Sequence, residues 1–187
     1  MRGWTLLFGT HGTCQSRANL IVTNQNFDAP TVRAYAGPGA YFWEHGSSPD
    51  VAKELAELWW LYSHSKGCYE AEADQALSII GVEIKAPAAQ EFLDATSHDF
   101  NEKLYKLLKK FEGSVENIDV HEVMAMAIGD LAEERGVPIL LVKTLVKPPP
   151  TVKGRQPSMV YKAYQAWPCL VVREGGDGLF SKIFTIQ

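Results

Sequence analysis

The sequence predicts an α+β domain, and three observations point there. Apolar runs of strand length mix irregularly with segments of helical period, no strand–helix unit repeats, and neither a Walker loop nor a Gly-x-Gly-x-x-Gly turn follows a strand. The 187 residues are 46% hydrophobic with a net charge of -4, enough apolar material for one core, so residues 1–187 read as one domain. The mildly acidic balance argues against a broad phosphate-binding surface and leaves room for a local basic patch. Cys14, Cys68 and Cys169 are widely spaced with no CxxC pair. They read as free thiols in a reducing compartment, not as a disulfide framework or a zinc site. The apolar run near Met1 is too short for a signal segment or a membrane span, so a soluble, cytoplasmic protein without metal is expected.

Taken in order, Trp4–Thr10 is an apolar strand that runs into His11-Gly12-Thr13. Gln15–Thr23 reads as a short helix carrying Ala18, Leu20, Ile21 and Val22, and the stretch to Ala34 is polar and turn-rich. Gly37-Pro38-Gly39 forces a tight turn, after which Ala40, Tyr41, Phe42 and Trp43 form a short buried strand ending at Glu44. Ser48-Pro49-Asp50 supplies an N-cap, a first-turn proline and an early acid. The helix it opens continues through Val51, Leu55, Leu58, Trp59 and Tyr62 to near Gly67. Leu77–Ile84 is a strand. Asp99–Glu102 has capping-box spacing and opens a helix through Leu104, Leu107, Leu108 and Phe111, stopped by Gly113. Asp119–Glu122 repeats the device for a helix through Val123, Ala127, Ile128 and Leu131, stopped by Gly136 and Pro138. Ile139–Val146 is a strand, 151–167 a long surface loop, and Leu170–Arg173 and Phe180–Ile186 are closing strands joined by a glycine-rich turn.

Several features have plain readings. Glu102, Lys103, Lys106, Lys109 and Lys110 line the polar side of an amphipathic helix, which reads as a solvated face. Trp59, Trp60 and Tyr62 at helical spacing read as core. His64 and Cys68 share a helix face without a second ligand pair, so they do not make a metal site.

His11-Gly12-Thr13 at a strand end, a following helix, and then Gly37-Pro38-Gly39-Ala40-Tyr41-Phe42 opening a second strand resemble the first two motifs of the PARP-like (diphtheria-toxin-like) ADP-ribosyltransferases. In that family the motifs are His-Gly-Ser/Thr and a Gly-x-Gly-x-Tyr-Phe strand leading to a helix. The resemblance covers the first third of the chain by motif and the remainder through element order. It implies a split β-sandwich with flanking helices around a central NAD cleft.

The implied chemistry is loss of nicotinamide from NAD. Such a site holds the carboxamide, fixes a ribose and stabilises an oxocarbenium-like transition state. By resemblance, Gly12 offers its backbone N–H and C=O to the carboxamide, His11 bonds the adenosine-side ribose, and Tyr41 stacks on nicotinamide, which lies between the two. Thr13, Gly39, Ser47 and Ser48 complete the implied nucleotide contacts. The third motif places a Glu at the start of a late strand. This chain has Gln165-Ala166-Trp167-Pro168-Cys169-Leu170 there, with no carboxylate, and Gln165 is the candidate for the polar role. In the family, lack of the Glu goes with transfer of single units instead of chains. The implied activity is mono-ADP-ribosyl transfer to a protein or nucleic acid, with Lys153, Arg155 and Tyr161 as acceptor-loop contacts. A chain of this size also resembles bacterial or phage toxin and defence effectors, for which a neutralising protein partner is expected. Two other readings are a catalytically inactive NAD- or ADP-ribose-binding module and an RNA 2′-phosphotransferase. The latter needs cationic side chains near His11, for which Arg17 and Arg33 are the candidates.

Overall fold

A computed structural model describes residues 5–27, 36–46, 48–111, 120–150, 152 and 166–186. The described residues form seven strands and four α-helices. They are β1 (Leu6–Cys14), α1 (Gln15–Asn24), β2 (Ala40–Glu44), α2 (Pro49–Ser65), β3 (Leu77–Lys85), β4 (Phe92–Asp94), α3 (His98–Phe111), α4 (Val120–Arg135), β5 (Leu141–Val146), β6 (Trp167–Val172) and β7 (Phe180–Ile186). The strands make one sheet in the order β4-β5-β6-β2-β1-β3-β7, antiparallel except for the β4–β5 pair. This agrees with the expected α+β class.

Three elements differ from the sequence expectation. β1 continues through His11-Gly12-Thr13 to Cys14, because all nine of its residues pair with β3. β4 is a three-residue parallel edge strand that no apolar run announces. The cap of α3 is Ser97, not Asp99: the Ser97 hydroxyl accepts the Phe100 N–H at 3.4 Å and its carbonyl accepts the Asn101 N–H at 3.1 Å. The helix therefore starts two residues earlier than a cap at Asp99 would set it, and Asp99 lies in its first turn.

The sheet curls. β2 and β7 are separated by two strands, which in a flat sheet sets them roughly 14 Å apart. Yet the rings of Phe42 on β2 and Phe180 on β7 meet at 5.7 Å, with Phe27 against both at 4.8 and 5.5 Å. The face on which they meet is the concave one. It encloses Phe42, Ile80, Val82, Ile84, Leu141 and Leu170, with α1 laid across it through Ala18, Ile21 and Val22. Gln25, at the end of α1 in the left-handed region, ties this helix to β7 by two bonds to the Ile183 backbone (2.9 and 3.0 Å). The convex face carries α2, α3 and α4, whose Leu55, Phe100, Met124, Ile128 and Leu131 pack on Trp43, Ile79, Val142 and Val171.

α2 begins at Pro49 as its sequence signals predict, although the Ser48 side chain makes no capping bond. Its Trp59, Trp60 and Tyr62 are not core residues. Trp59 is exposed and the other two are half-buried, all three in the second half of the helix, beyond the buried Ala52, Leu55 and Ala56. The helix buries Ala52, Leu55 and Ala56 instead, and these small residues bring its backbone close to β1. No helix among the described residues is long and apolar enough to cross a membrane.

Candidate active site

Strand alternation assigns the faces around His11. On β1, His11 and Thr13 turn to the concave side, while Thr10 and Gly12 turn to the convex side. The ring of His11 accordingly meets Phe27 at 5.5 Å and Phe42 at 6.0 Å, both members of the concave cluster or packed on it. Tyr41, one residue before Phe42, points the other way and packs on the convex cluster. The two side chains leave opposite faces of the sheet, so no ligand can lie between their rings. This departs from the arrangement that the motifs imply.

What joins them is the backbone. Phe8 C=O accepts the His45 N–H at 2.9 Å, so even-numbered residues of β1 aim their backbone groups at β2. The register continues with Gly9 opposite Glu44 and Thr10 opposite Trp43, which makes Gly12–Tyr41 the next reciprocal pair. That pair does not form. Among the described residues the β1–β2 ladder stops at Thr10–Trp43, and the Tyr41 carbonyl instead takes Nδ1 of His11 at 3.0 Å. A carbonyl only accepts, so Nδ1 carries the proton and Nε2 is left as an acceptor. Burial lowers the His11 pKa, with the Tyr41 bond a smaller, opposing influence, and this favours that neutral tautomer. The imidazole thus replaces one rung of the sheet and leaves Gly12 beyond the end of the ladder.

The remaining predicted residues have definite structural duties. A Cβ on Gly12 would lie 1.8 Å from the Ala56 carbonyl oxygen, so only glycine lets α2 sit where it does. A Cβ on Gly39 would lie 2.7 Å from the Val172 carbonyl oxygen, which fixes β6 against the turn. The Tyr41 hydroxyl accepts the Ala36 N–H and donates to the Gly37 carbonyl, both at 2.8 Å, with Gly37 at φ 79°. The phenol is therefore pinned to its own turn, and burial pushes its pKa up. Thr13 is buried with its hydroxyl on Tyr69. Ser48 sits half-buried at the α2 start. Ser47, Lys153, Arg155, Tyr161 and Gln165 lie outside the described residues.

On the late strand, Cys169 pairs with Trp43, is 2% exposed and joins the convex core. Burial pushes its thiol pKa well above the ordinary range, so it is an inert core group. Among the described residues, Glu44 meets the start of this strand: its carbonyl accepts Trp167 Nε1 at 3.2 Å. Its side chain is held by Lys143 Nζ at 2.9 and 2.8 Å and lies at the opposite end of β2 from Gly12.

Arg17 is also committed: its guanidinium donates to Glu72 at 2.7 Å and the Cys68 carbonyl at 3.0 Å and lies over the Tyr69 ring. Arg33 lies outside the described residues. A shallow cavity of about 240 Å³ occurs elsewhere, between α3 and α4. Of the lysines at its rim, Lys103 pairs with Glu134 and Lys106 with Glu102. No cluster of three His, Cys, Asp or Glu among the described residues is placed to hold a metal.

Sequence reasoning singled out His11, Gly12 and Tyr41 but passed over Phe27, which walls the His11 ring, and Arg173, which lies beside Tyr41. Neither stands in a motif. No protein-family model matches the chain, and neither a curated protein nor a solved structure matches it.

Proposed function

We propose that the chain is an NAD-dependent mono-ADP-ribosyltransferase of the PARP-like, split β-sandwich kind. The observation that carries this reading is the open end of the β1–β2 pair. There His11 takes the Tyr41 carbonyl and leaves the reciprocal Gly12–Tyr41 pair unmade. A carboxamide has one carbonyl and one N–H₂, and a strand-like residue offering both N–H and C=O on one side binds it as a neighbouring strand would. Support also comes from order in the sheet, because the strands bearing the three motif positions, β6, β2 and β1, are adjacent.

In this reading Gly12 holds the nicotinamide carboxamide at the opened rung. His11 keeps the opening in place through Nδ1–H and accepts a ribose hydroxyl on Nε2. Tyr41, with its hydroxyl tied to Ala36 and Gly37, contributes a fixed aromatic wall on the convex side. Departure of neutral nicotinamide leaves positive charge on the ribose, and the attacking oxygen or nitrogen of a macromolecular acceptor ends the reaction. The second reading, an inactive NAD- or ADP-ribose-binding module, is favoured by β6, whose described residues carry no carboxylate and bury Cys169. The committed geometry of Arg17 counts against a 2′-phosphotransferase.

Nicotinamide release from NAD in the presence of protein, RNA and DNA acceptors decides between transferase and module. The transferase releases nicotinamide and adds an ADP-ribosyl mass to one acceptor class, and His11→Ala abolishes both. NAD binding without release under any acceptor leaves the module, and absence of NAD binding sinks both readings.

A further inference from the structure

Beyond the residues that the motifs supply, one cation at the same end of the sheet has no assigned task. Arg173 follows directly on Val172, the β6 residue paired with Ala40. Its backbone is fixed on both sides: the N–H donates to the Leu140 carbonyl and the carbonyl accepts the Gly176 N–H, each at 2.9 Å. Its guanidinium lies over the Gly37 turn, where a Cβ on Gly37 would stand 3.7 Å from Nη2, and beside the phenol of Tyr41. Ala125 of α4 closes the other side of that turn, 3.8 Å from the same Cβ position.

The side chain is half-buried, and among the described residues no carboxylate pairs with it. Every other described arginine is tied to named acceptors: Arg17 to Glu72 and a carbonyl, Arg135 to the carbonyls of Gln90 and Phe92. Glu174 and Asp177, the acids next in sequence, are exposed. Desolvation lowers the Arg173 pKa, with Tyr41 the only opposing influence. A partly desolvated guanidinium with no acid beside it is a built receptor for an anion, and its planar fork suits phosphate oxygens.

Position decides which anion. Tyr41 lies opposite Gly12 on one side and pairs with Val171 on the other, and Arg173 stands on the same convex side as the Tyr41 ring. From Gly12 to Arg173 is two strand spacings across the sheet and two residues along it, roughly 12 Å in all. A dinucleotide held by its carboxamide at Gly12 and running past Tyr41 brings its diphosphate over Arg173. We propose that Arg173 is the diphosphate-binding residue of this site. The assignment rests on the NAD reading for its choice of ligand, and the anion site itself does not.

Calorimetric titration of the full chain and of Arg173→Gln and Arg173→Lys with NAD, nicotinamide and inorganic diphosphate tests this. The expected result is NAD and diphosphate affinity falling about tenfold or more in Arg173→Gln, with partial retention in Arg173→Lys. Nicotinamide affinity stays within about twofold of the parent, because that ligand carries no phosphate. Thermal unfolding of both variants checks that the fold is kept. Unchanged NAD affinity in Arg173→Gln overturns the assignment and keeps the NAD reading. Arg173-dependent diphosphate binding in a chain that ignores NAD keeps the anion site and overturns the NAD reading. Binding of neither probe by the parent protein overturns both.

Discussion

The two ends of the β1–β2 pair are made from the same strands and solve opposite problems. At the Gly9–Glu44 end the named backbone and charged groups are drawn into partners, Phe8 C=O with His45 N–H, Trp167 Nε1 with the Glu44 carbonyl, and Lys143 with the Glu44 carboxylate, while His45 Nε2 and Thr10 Oγ1 are buried without a hydrogen bond. At the Gly12–Tyr41 end a side chain interrupts the ladder, and a backbone edge is left beside a half-buried arginine without an acid. One end is closed by satisfying charges and hydrogen bonds internally, and the other is kept open at a local cost in sheet pairing. Groups at the first end should affect stability alone, whereas those at the second should affect ligand binding as well as stability.

Four tests probe that division, from the largest effect to the smallest. Gly12→Ala drives a methyl into the Ala56 carbonyl, a rigid helix backbone group, and should cost more than about 3 kcal/mol in urea unfolding. Gly9→Ala at the closed end meets Phe42 Cβ at 2.7 Å and should cost less, about 1–3 kcal/mol, because the overlap is smaller than the 1.8 Å approach at Gly12. Equal costs would mean that α2 can shift away from β1. Second, Lys143→Met strands Glu44, whose side chain is 11% exposed. Since Lys143 is itself 30% exposed, solvent screening reduces the loss to about 2–3 kcal/mol. Adding Glu44→Gln should return part of it; a double variant as unstable as the single one would show that the pair is not what closes this end.

Third, Tyr41→Phe orphans the Ala36 N–H and the Gly37 carbonyl and should lower stability by about 1–2 kcal/mol while retaining the aromatic wall. Loss of NAD binding without loss of stability would place the hydroxyl in the ligand site and not in the turn. The fourth and smallest effect is one of pH. His11 has a folded-state pKa below its unfolded value, so the unfolded chain takes up the proton first, and stability falls as pH drops through the unfolded value near 6.5. His45 is shifted the same way by burial and adds to the trend. Denaturant midpoints between pH 7.5 and 5.5 should decline less in His11→Gln than in the parent, and identical slopes would remove His11 from the balance.

Much of the fold could be read from local chemistry. Gly37-Pro38-Gly39, the Pro49 start of α2 and the apolar runs of β2, β3 and β5 each carry their own signal, and the structure places them within a few residues of expectation. β4 could not be read, since three residues joined to a parallel neighbour have no period of their own. The surface aromatics of α2 misled for a different reason. Trp59 shares the face of Ala52 and Ala56, but the buried residues lie only in the first half of the helix, and spacing alone does not tell how far along a helix the burial runs. For the candidate site, the sequence offered residues but not their geometry. Alternation along one strand puts His11 and Gly12 on opposite sides, but only the β1–β2 register sets Tyr41 opposite Gly12, and register depends on long-range pairing. Arg173 had no signal at all, because an arginine ending a strand is normally solvated.

The position of β6 also bears on when the protein can work during its own synthesis. β2 sits between β1, made just before it, and β6, whose Trp167 reaches Glu44 across 123 positions of chain. β7, the last strand, must then pair with β3 before Phe180 can close on Phe42. Contacts of such sequence separation form late and slowly. A ribosome-bound chain that has already made His11, Gly12 and Tyr41 still lacks the strand that flanks them and the arginine at its end. On the NAD reading proposed above, a chain that stops before β6 should bind no NAD.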